Sequence, residues 1–234
     1  MSSVSFLILT LNEEANIAAC IDSVAFADDI VVVDSFSSDQ NCEIAREKGA
    51  RVYQRKFDNF SSQRNYALDK IEYKHLWVFH LDADERFTPD LYRECQRMVA
   101  LDEKSAYFVP NRIIFLGKWI KHCTQYAFCQ ERLLKRGEVR FSEMGHGQKE
   151  QAPERGLGYI QIPYDHFNFS KGIEDWIAKY NRYSFLEAHG LSEIKRRPLA
   201  DCWYSDSAIR KRALKSWFVR MPCRPWLKFF YLFL

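Results

Sequence analysis

The sequence predicts an α/β protein, a three-layer α/β/α sandwich on a mostly parallel sheet, followed by a C-terminal helical appendage. Three observations carry this. Apolar runs of strand length alternate with helical spacings through residues 5–99. One of them, Ile30-Val31-Val32-Val33, is an unbroken β-branched run, the mark of a strand buried on both faces. Polar and acidic residues gather where the runs end, at the edge where such sheets hold ligands.

Ser5 to Leu9 is the first strand, and Asn12 is placed to cap a helix that carries Glu13 and Glu14 in its first turn and Ile17, Cys20, Ile21 and Val24 at helical spacing. Ile30 to Val33 is the second strand; Ser37 or Ser38 then caps a helix that Gly49 ends. Arg51 to Gln54 is a third strand and Ser61 to Ile71 a third helix. Leu76 to Leu81 is a fourth strand running into Asp82-Ala83-Asp84. Thr88-Pro89 opens a helix with Leu91, Cys95, Met98 and Val99 on one face. This alternation implies parallel strands with right-handed crossovers.

After Ala106 the rhythm changes to shorter strands at Tyr107–Asn111, Arg132–Lys135, Val139–Phe141 and Tyr159–Ile162. A long helix follows from Ser170 to His189, with Ile173, Trp176, Ile177, Tyr180 and Tyr183 in one stripe. The reading divides the chain at 168, with halves 1–104 and 105–168 before the boundary and the appendage 169–234 after it.

A hydrophobic share of 47% and a charged share of 28% over 234 residues allow a full core. A net charge of +3 gives no electrostatic case for nucleic acid, which is not expected as a partner. The seven cysteines form no C-x-x-C pair and are an odd number, so free thiols in a reducing compartment are expected. With the first strand starting at Val4, no secretory signal is expected before it, and no apolar run approaches the ~20 residues a spanning helix needs. The expected location is cytoplasmic.

Asp82-Ala83-Asp84 is the sharpest chemical signal. Two carboxylates at a strand end can hold a hard divalent cation, Mg2+ or Mn2+, while phosphate oxygens complete its shell. An acidic turn that only caps is the plainer alternative. Asp34 ends the second strand, where a carboxylate can accept a uracil N–H or simply close a turn. Thr10, Asn12 and Glu13 lie where the first strand meets its helix; with no glycine there, this is neither a dinucleotide fingerprint nor a P-loop. Arg64 either reaches a base or diphosphate or lies on a solvated helix face.

Taken together these motifs resemble family 2 inverting glycosyltransferases. Leu9 to Glu14 is similar to their opening strand and turn, and Val33-Asp34-Ser35-Phe36-Ser37-Ser38-Asp39 resembles their V-D-D-G-S-x-D segment. Gln63 to Leu68 is similar to their A-R-N-x-A-L helix, and Leu81 to Glu85 to their metal motif. The later segments Arg132 to Gly137, His166-Phe167, Lys179 to Ser184 and Arg224 to Phe229 resemble the small bacterial glucosyltransferases of lipopolysaccharide core assembly.

The resemblance implies a GT-A type fold with a nucleotide-binding half and an acceptor half. It implies transfer of a hexose, glucose by the closest branch, from a UDP-sugar to a lipopolysaccharide-core or other glycan or lipid-linked acceptor. By it Thr10, Asp34 and Arg64 would bind the nucleotide and Asp84 the metal; Asn12, Glu13 and Asp82 are further candidates for the nucleotide, with plain helix capping the alternative for Asn12 and Glu13. His166 would complete the metal shell or touch diphosphate, unless it is a core histidine; Lys179 and Arg182 are further candidates for phosphate.

Ser35 replaces the second acid of the family segment, and Glu143-Met144-Gly145-His146-Gly147 stands where many relatives carry V-H-E. An inverting transfer needs a base for the acceptor hydroxyl, and Glu143, then His146, are the candidates here, with Glu150 behind them.

The end of the chain alternates cations (Lys195-Arg196-Arg197, Arg210-Lys211-Arg212, Lys215, Arg220, Arg224) with Trp203, Trp217, Phe218 and Trp226. It suits peripheral contact with an anionic membrane, here the inner face of the cytoplasmic membrane, or a helical lid. Its stop inside an apolar run reads as a truncated tail. Two rival functions are a sugar nucleotidyltransferase, which would want a Gly-rich basic loop after the first strand, and a decayed sugar-nucleotide-binding protein.

Overall fold

The computed structural model describes residues 4–122, 129–144, 147–150, 155–192, 196–203 and 207–233. They form two compact units, Met1–Lys179 and Tyr180–Leu234, so the division falls inside a helix beyond the boundary read from the sequence.

The first unit runs β1 (Val4–Thr10), α1 (Glu14–Asp22), β2 (Ile30–Asp34), α2 (Asn41–Glu47), β3 (Arg51–Gln54), α3 (Phe60–Lys70) and β4 (Trp77–Asp82). It continues with β5 (Glu85–Arg86), α4 (Pro89–Leu101), β6 (Ala106–Phe115), β7 (Lys118–Trp119), β8 (Cys129–Lys135), β9 (Phe141–Met144), β10 (Gly147–Glu150), β11 (Leu157–Tyr159) and β12 (Tyr164–His166). Helix α5 (Ile173–Ser192) leads into the second unit.

The main sheet has the order β3-β2-β1-β4-β8-β6-β12-β5, with β7 and β11 also on β6. β3, β2, β1 and β4 are mutually parallel, whereas β8 is antiparallel to both β4 and β6. From β1 the chain steps outward through β2 and β3, then returns to lay β4 on the other side of β1. That reversal opens a crevice at the carboxyl ends of β1 and β4, where ligands of open α/β sheets bind. Thr10 and Asp82 end those two strands.

Period-two alternation sends side chains to two cores. Val4, Phe6 and Ile8 pack with Phe79 and Leu81 against Ile17, Cys20 and Ile21 of α1 and Leu91, Cys95 and Met98 of α4. Leu7, Val31, Val33 and Val78 pack on the other face against Ala67 and Leu68 of α3. These are the three layers the sequence predicted. The caps differ in part. Thr88 caps α4 with Pro89 first in the helix, as read, and Asn59 caps α3 through Ser62 N. Asn12 does not cap α1, nor Ser37 or Ser38 cap α2; the flanking cap residues are Glu13 and Gln40. The second half departs most. β6 is longer than predicted, the 139–141 strand begins at Phe141, and of the 159–162 strand only Tyr159 is in a strand, as the last residue of β11, with β12 starting at Tyr164.

At the opposite ends of the strands Asp29 is buried among the Ser5 hydroxyl, the Lys74 amide (2.8 Å) and the Arg51 guanidinium (2.7 Å). Burial pushes its carboxyl up, but these three donors together outweigh it and hold it below the usual carboxylate range. A carboxyl lowered by folding stabilises the fold above its unfolded value of about 4 and loses that contribution as pH falls through the folded value. Asp29→Asn is therefore expected to cost about 1.5–3 kcal/mol at pH 7, with the gap to wild type closing in urea unfolding at pH 3. A gap unchanged with pH would refute this.

In the second unit a short 3-10 turn (Leu199–Trp203) precedes α6 (Ser207–Phe218) and α7 (Arg224–Phe233). Arg196 stacks 3.7 Å over the Trp217 ring, whose Nε1 donates to the Arg197 carbonyl at 3.0 Å. On α7, Trp226, Leu227, Phe229 and Phe230 are exposed. No helix among the described residues is long and apolar enough to cross a membrane. The cysteines among the described residues are free.

Candidate active site

The β1–α1 and β2–α2 loops are zipped together. Ser35 N donates to Thr10 O (3.0 Å), Asn12 N to Ser37 Oγ (2.8 Å) and Ser38 N to Asn12 Oδ1 (2.9 Å). Glu14 N donates to Asp39 Oδ2, and Gln40 N to Glu14 Oε2, so each loop caps the other's helix. Asp34 is fully buried beneath this zip. Its Oδ1 accepts from Thr10, Ser37 and Asn41, and its Oδ2 from Ser37 N and Gln54. Burial alone would raise its carboxyl, but these donors hold it below the ordinary range.

Both carboxylate oxygens of Asp34 are thus engaged within the loop pair. What the loops present outward is Leu11 and Phe36, 50% and 59% exposed, each midway between zipped neighbours. Phe36 stands at φ 62°, in the left-handed region, where the family segment carries glycine. Asn12 also has positive φ (54°), which explains why it bridges loops rather than capping a helix.

The Asp82–Asp84 turn rests on buried charge. Arg64 is buried, with Nη1 3.1 Å from His80 Nδ1 and Nη2 3.5 Å from Asp82 Oδ1; the solvated-face alternative is excluded. Arg132 is fully buried, donating to Asp82 Oδ2 (3.1 Å), Glu85 Oε1, Gln130 Oε1 and Tyr164 Oη (3.2 Å). Glu85 Oε2 accepts from Asp82 N at 2.9 Å, closing the turn.

Burial would raise the Asp82 carboxyl, yet Arg132 and Arg64 on either side hold it far below the usual range. Glu85, buried with less relief, is pushed up to about 7. His80 is driven well below the usual imidazole value by burial, then by Arg64 and Arg132, so Arg64 donates to a neutral ring.

Asp84 meets His166 across the turn, Oδ2 to Nε2 at 3.3 Å, and Phe167 N donates to Asp84 O at 2.8 Å. Beyond β12, Ser170 accepts from Asn16 and Lys171 donates to Asn12 O and Glu13 Oε1, stitching this segment to the β1 turn. Burial raises the Asp84 carboxyl but the His166 contact outweighs it; for His166, burial lowers the ring and Asp84 more than restores it.

Among the described residues no group of three or more His, Cys, Asp or Glu converges as a metal cage. A magnesium-like ion at a phosphate site needs only one or two protein donors. Adjacent donors on an octahedral ion with bonds of about 2.1 Å stand roughly 3 Å apart. The Asp84–His166 pair fits that requirement in separation, and Asp84 fits it in donor type.

Residues 5–149 match the model for Glycosyl transferase family 2, more than half of the chain. The chain belongs to that family. It is 28% identical over 211 residues to the lipopolysaccharide core biosynthesis glycosyltransferase LpsC of Rhizobium meliloti, covering 83% of this chain and 74% of LpsC. Among solved structures, Staphylococcus aureus TarS 1–349 superposes with TM-score 0.53 at 14% identity, over 92% of this chain and 71% of that one. Glucosyl-3-phosphoglycerate synthase from Mycobacterium tuberculosis, crystallised with Mn2+, UDP-glucose and phosphoglyceric acid, superposes with TM-score 0.51 at 15% identity, over 80% and 79%. These likenesses establish the GT-A fold.

In this glycosyltransferase the predicted residues fall into two groups. Thr10, Asn12, Glu13 and Asp34 build the loop pair, while Arg64, Asp82 and Asp84 build the acidic turn. Glu143 has its backbone in β9, but its side chain, like all of His146 and the side chain of Glu150, lies outside what is described. Arg182 lies in the second unit. Sequence reasoning gave no role to Arg132, Glu85 or His80. A charged or polar residue inside an apolar strand, as in Arg132-Leu133-Leu134 or Phe79-His80-Leu81, was the available signal.

Proposed function

We infer that this chain is a metal-dependent, inverting transferase that moves a hexose from a UDP-sugar to a lipopolysaccharide-core or other cell-surface glycan. The observation that carries it is the Asp84–His166 pair at the β1/β4 crevice, seated on a turn held by two buried arginines. The named likeness to LpsC supports the acceptor class, and the bound Mn2+ and UDP-glucose of the mycobacterial neighbour support the donor and ion.

Asp84 and His166 would hold Mg2+ or Mn2+, which supplies charge neutralisation for the departing diphosphate. Asp82, clamped between Arg64 and Arg132, offers a fixed carboxylate to the donor's ribose. The base lies on the Leu11–Phe36 ledge, whose loops Thr10, Asn12, Glu13 and Asp34 keep in place. The acceptor oxygen attacks the anomeric carbon, the bond from that carbon to the β-phosphate oxygen breaks, and Glu143 or His146 takes the acceptor proton. The exposed aromatic face of α7 and its neighbouring cations supply peripheral contact with an anionic membrane.

Incubation with UDP-glucose, Mn2+ and core acceptors tests the reading: UDP is released and the product has the opposite anomeric configuration to the donor. Retained configuration would contradict the inverting step. The ledge has its own test. Phe36→Gly relieves a left-handed aromatic residue, so thermal stability holds or rises. UDP affinity falls about tenfold, as loss of base stacking predicts, while Mn2+-pyrophosphate affinity does not change. Equal UDP affinity would remove Phe36 from the site.

A further inference from the structure

The turn joining β6 to β7 breaks a local rule. Ile114 pairs with Trp119 and Phe115 with Lys118, leaving Leu116 and Gly117 as a two-residue turn with φ of 48° and 74°. Turns with both central residues at positive φ favour Asn-Gly or Asp-Gly, because a branched side chain is strained there. The position instead holds leucine, and it is 86% exposed, more than any other large apolar side chain among the described residues. Strain and exposure both oppose stability at one residue, the kind of outlier from which a function is inferred.

The surroundings state the chemistry of the missing partner. From Asn111 to Gln130 the chain has no Asp or Glu, while Arg112, Lys118 and Lys121 are present. Lys118 and Lys121 are exposed, and Trp119 is half-buried with the Lys121 ammonium 4.9 Å from its ring centre. An apolar tip flanked by lysines and a tryptophan matches the acyl and headgroup layers of an anionic bilayer. Behind the tip, Phe115, Phe167 and Phe169 line a shallow apolar hollow, and Phe167 N bonds to Asp84 O.

We propose that the Phe115–Lys118 turn is a membrane-insertion device of the catalytic unit. Leu116 enters the acyl boundary of an anionic bilayer and Lys118 and Lys121 meet its headgroups. Because the hollow adjoins the Asp84 turn, insertion sets the transfer centre close to the lipid surface, where a lipid-linked acceptor presents its sugar. That last consequence rests on the transferase reading; the insertion itself does not.

Leu116→Asn tests it, since Asn-Gly is the preferred pair for this turn and the variant folds at least as stably. In co-sedimentation of the full chain with phosphatidylcholine vesicles containing phosphatidylglycerol, the variant is expected to bind about tenfold more weakly than wild type. Lys118→Glu with Lys121→Glu is expected to reduce the preference for anionic over neutral vesicles to the part that the cations of the second unit supply. UDP binding with Mn2+ should be the same in all these variants.

Wild-type-like partition of Leu116→Asn overturns the proposal, and so does a wild type that ignores anionic vesicles. Lipid-free self-association of wild type that Leu116→Asn abolishes, with equal vesicle binding, assigns the tip to a second copy instead. If UDP fails to bind, the transferase reading falls, and the vesicle comparison still decides the insertion.

Discussion

Asp84→Ala is expected to lower sugar transfer by at least about 10^3-fold, since removing several kcal/mol of charge stabilisation from the leaving diphosphate costs a decade per 1.36 kcal/mol. The substitution deletes the carboxylate that faces His166 and leaves the turn's own fastening, Glu85 to Asp82 N, untouched. The fold should therefore persist, with the loss in urea unfolding limited to the Asp84–His166 contact, about 0.5–1.5 kcal/mol. The same variant should lose the response of donor binding to Mn2+. Transfer at the wild-type rate, still dependent on metal, would take Asp84 out of the account and leave His166 or Asp82 to explain the ion.

Arg132→Met is expected to damage both fold and function. The guanidinium satisfies Glu85, Asp82, Gln130 and Tyr164 from a fully buried position. Removing one partner of a buried ion pair typically costs about 3–5 kcal/mol, because a charge is left stranded. At about 2–4 °C per kcal/mol for a chain of this size, Tm should drop by roughly 10 °C.

Adding Glu85→Gln removes the stranded charge while keeping an acceptor for Asp82 N, so much of the stability should return. Activity should not, because Asp82 then lacks one of its two clamps. Differential scanning calorimetry beside a transfer assay separates these effects. A single Arg132→Met variant as stable as wild type would show that the buried pair contributes little to the fold.

The first half of the molecule was legible because its signals are local. The β-branched run at Ile30–Val33, the Thr88-Pro89 helix start and the apolar strand before Asp82 each follow from short-range rules, and the structure places them as expected. Asn12 was misread because a capping residue and a loop bridge look alike in sequence; only the positive φ and the Ser38 contact distinguish them.

The second half was harder, since β8 reaches β4, and β12 reaches β5 and β6, across more than 50 residues, and side-chain contacts such as Arg132–Asp82 at a separation of 50 and His166–Asp84 at 82 follow from those pairings. Such pairings leave no periodic trace. The buried arginines show the same limit. A guanidinium inside a strand reads as an exposed charge until its carboxylates are brought to it by the sheet order.

The most direct test of the central claim is calorimetric titration of UDP into the full chain, with and without Mn2+. The account predicts saturable binding that strengthens with the ion and loses that strengthening in Asp84→Asn. A folded protein that binds no UDP under either condition would contradict it.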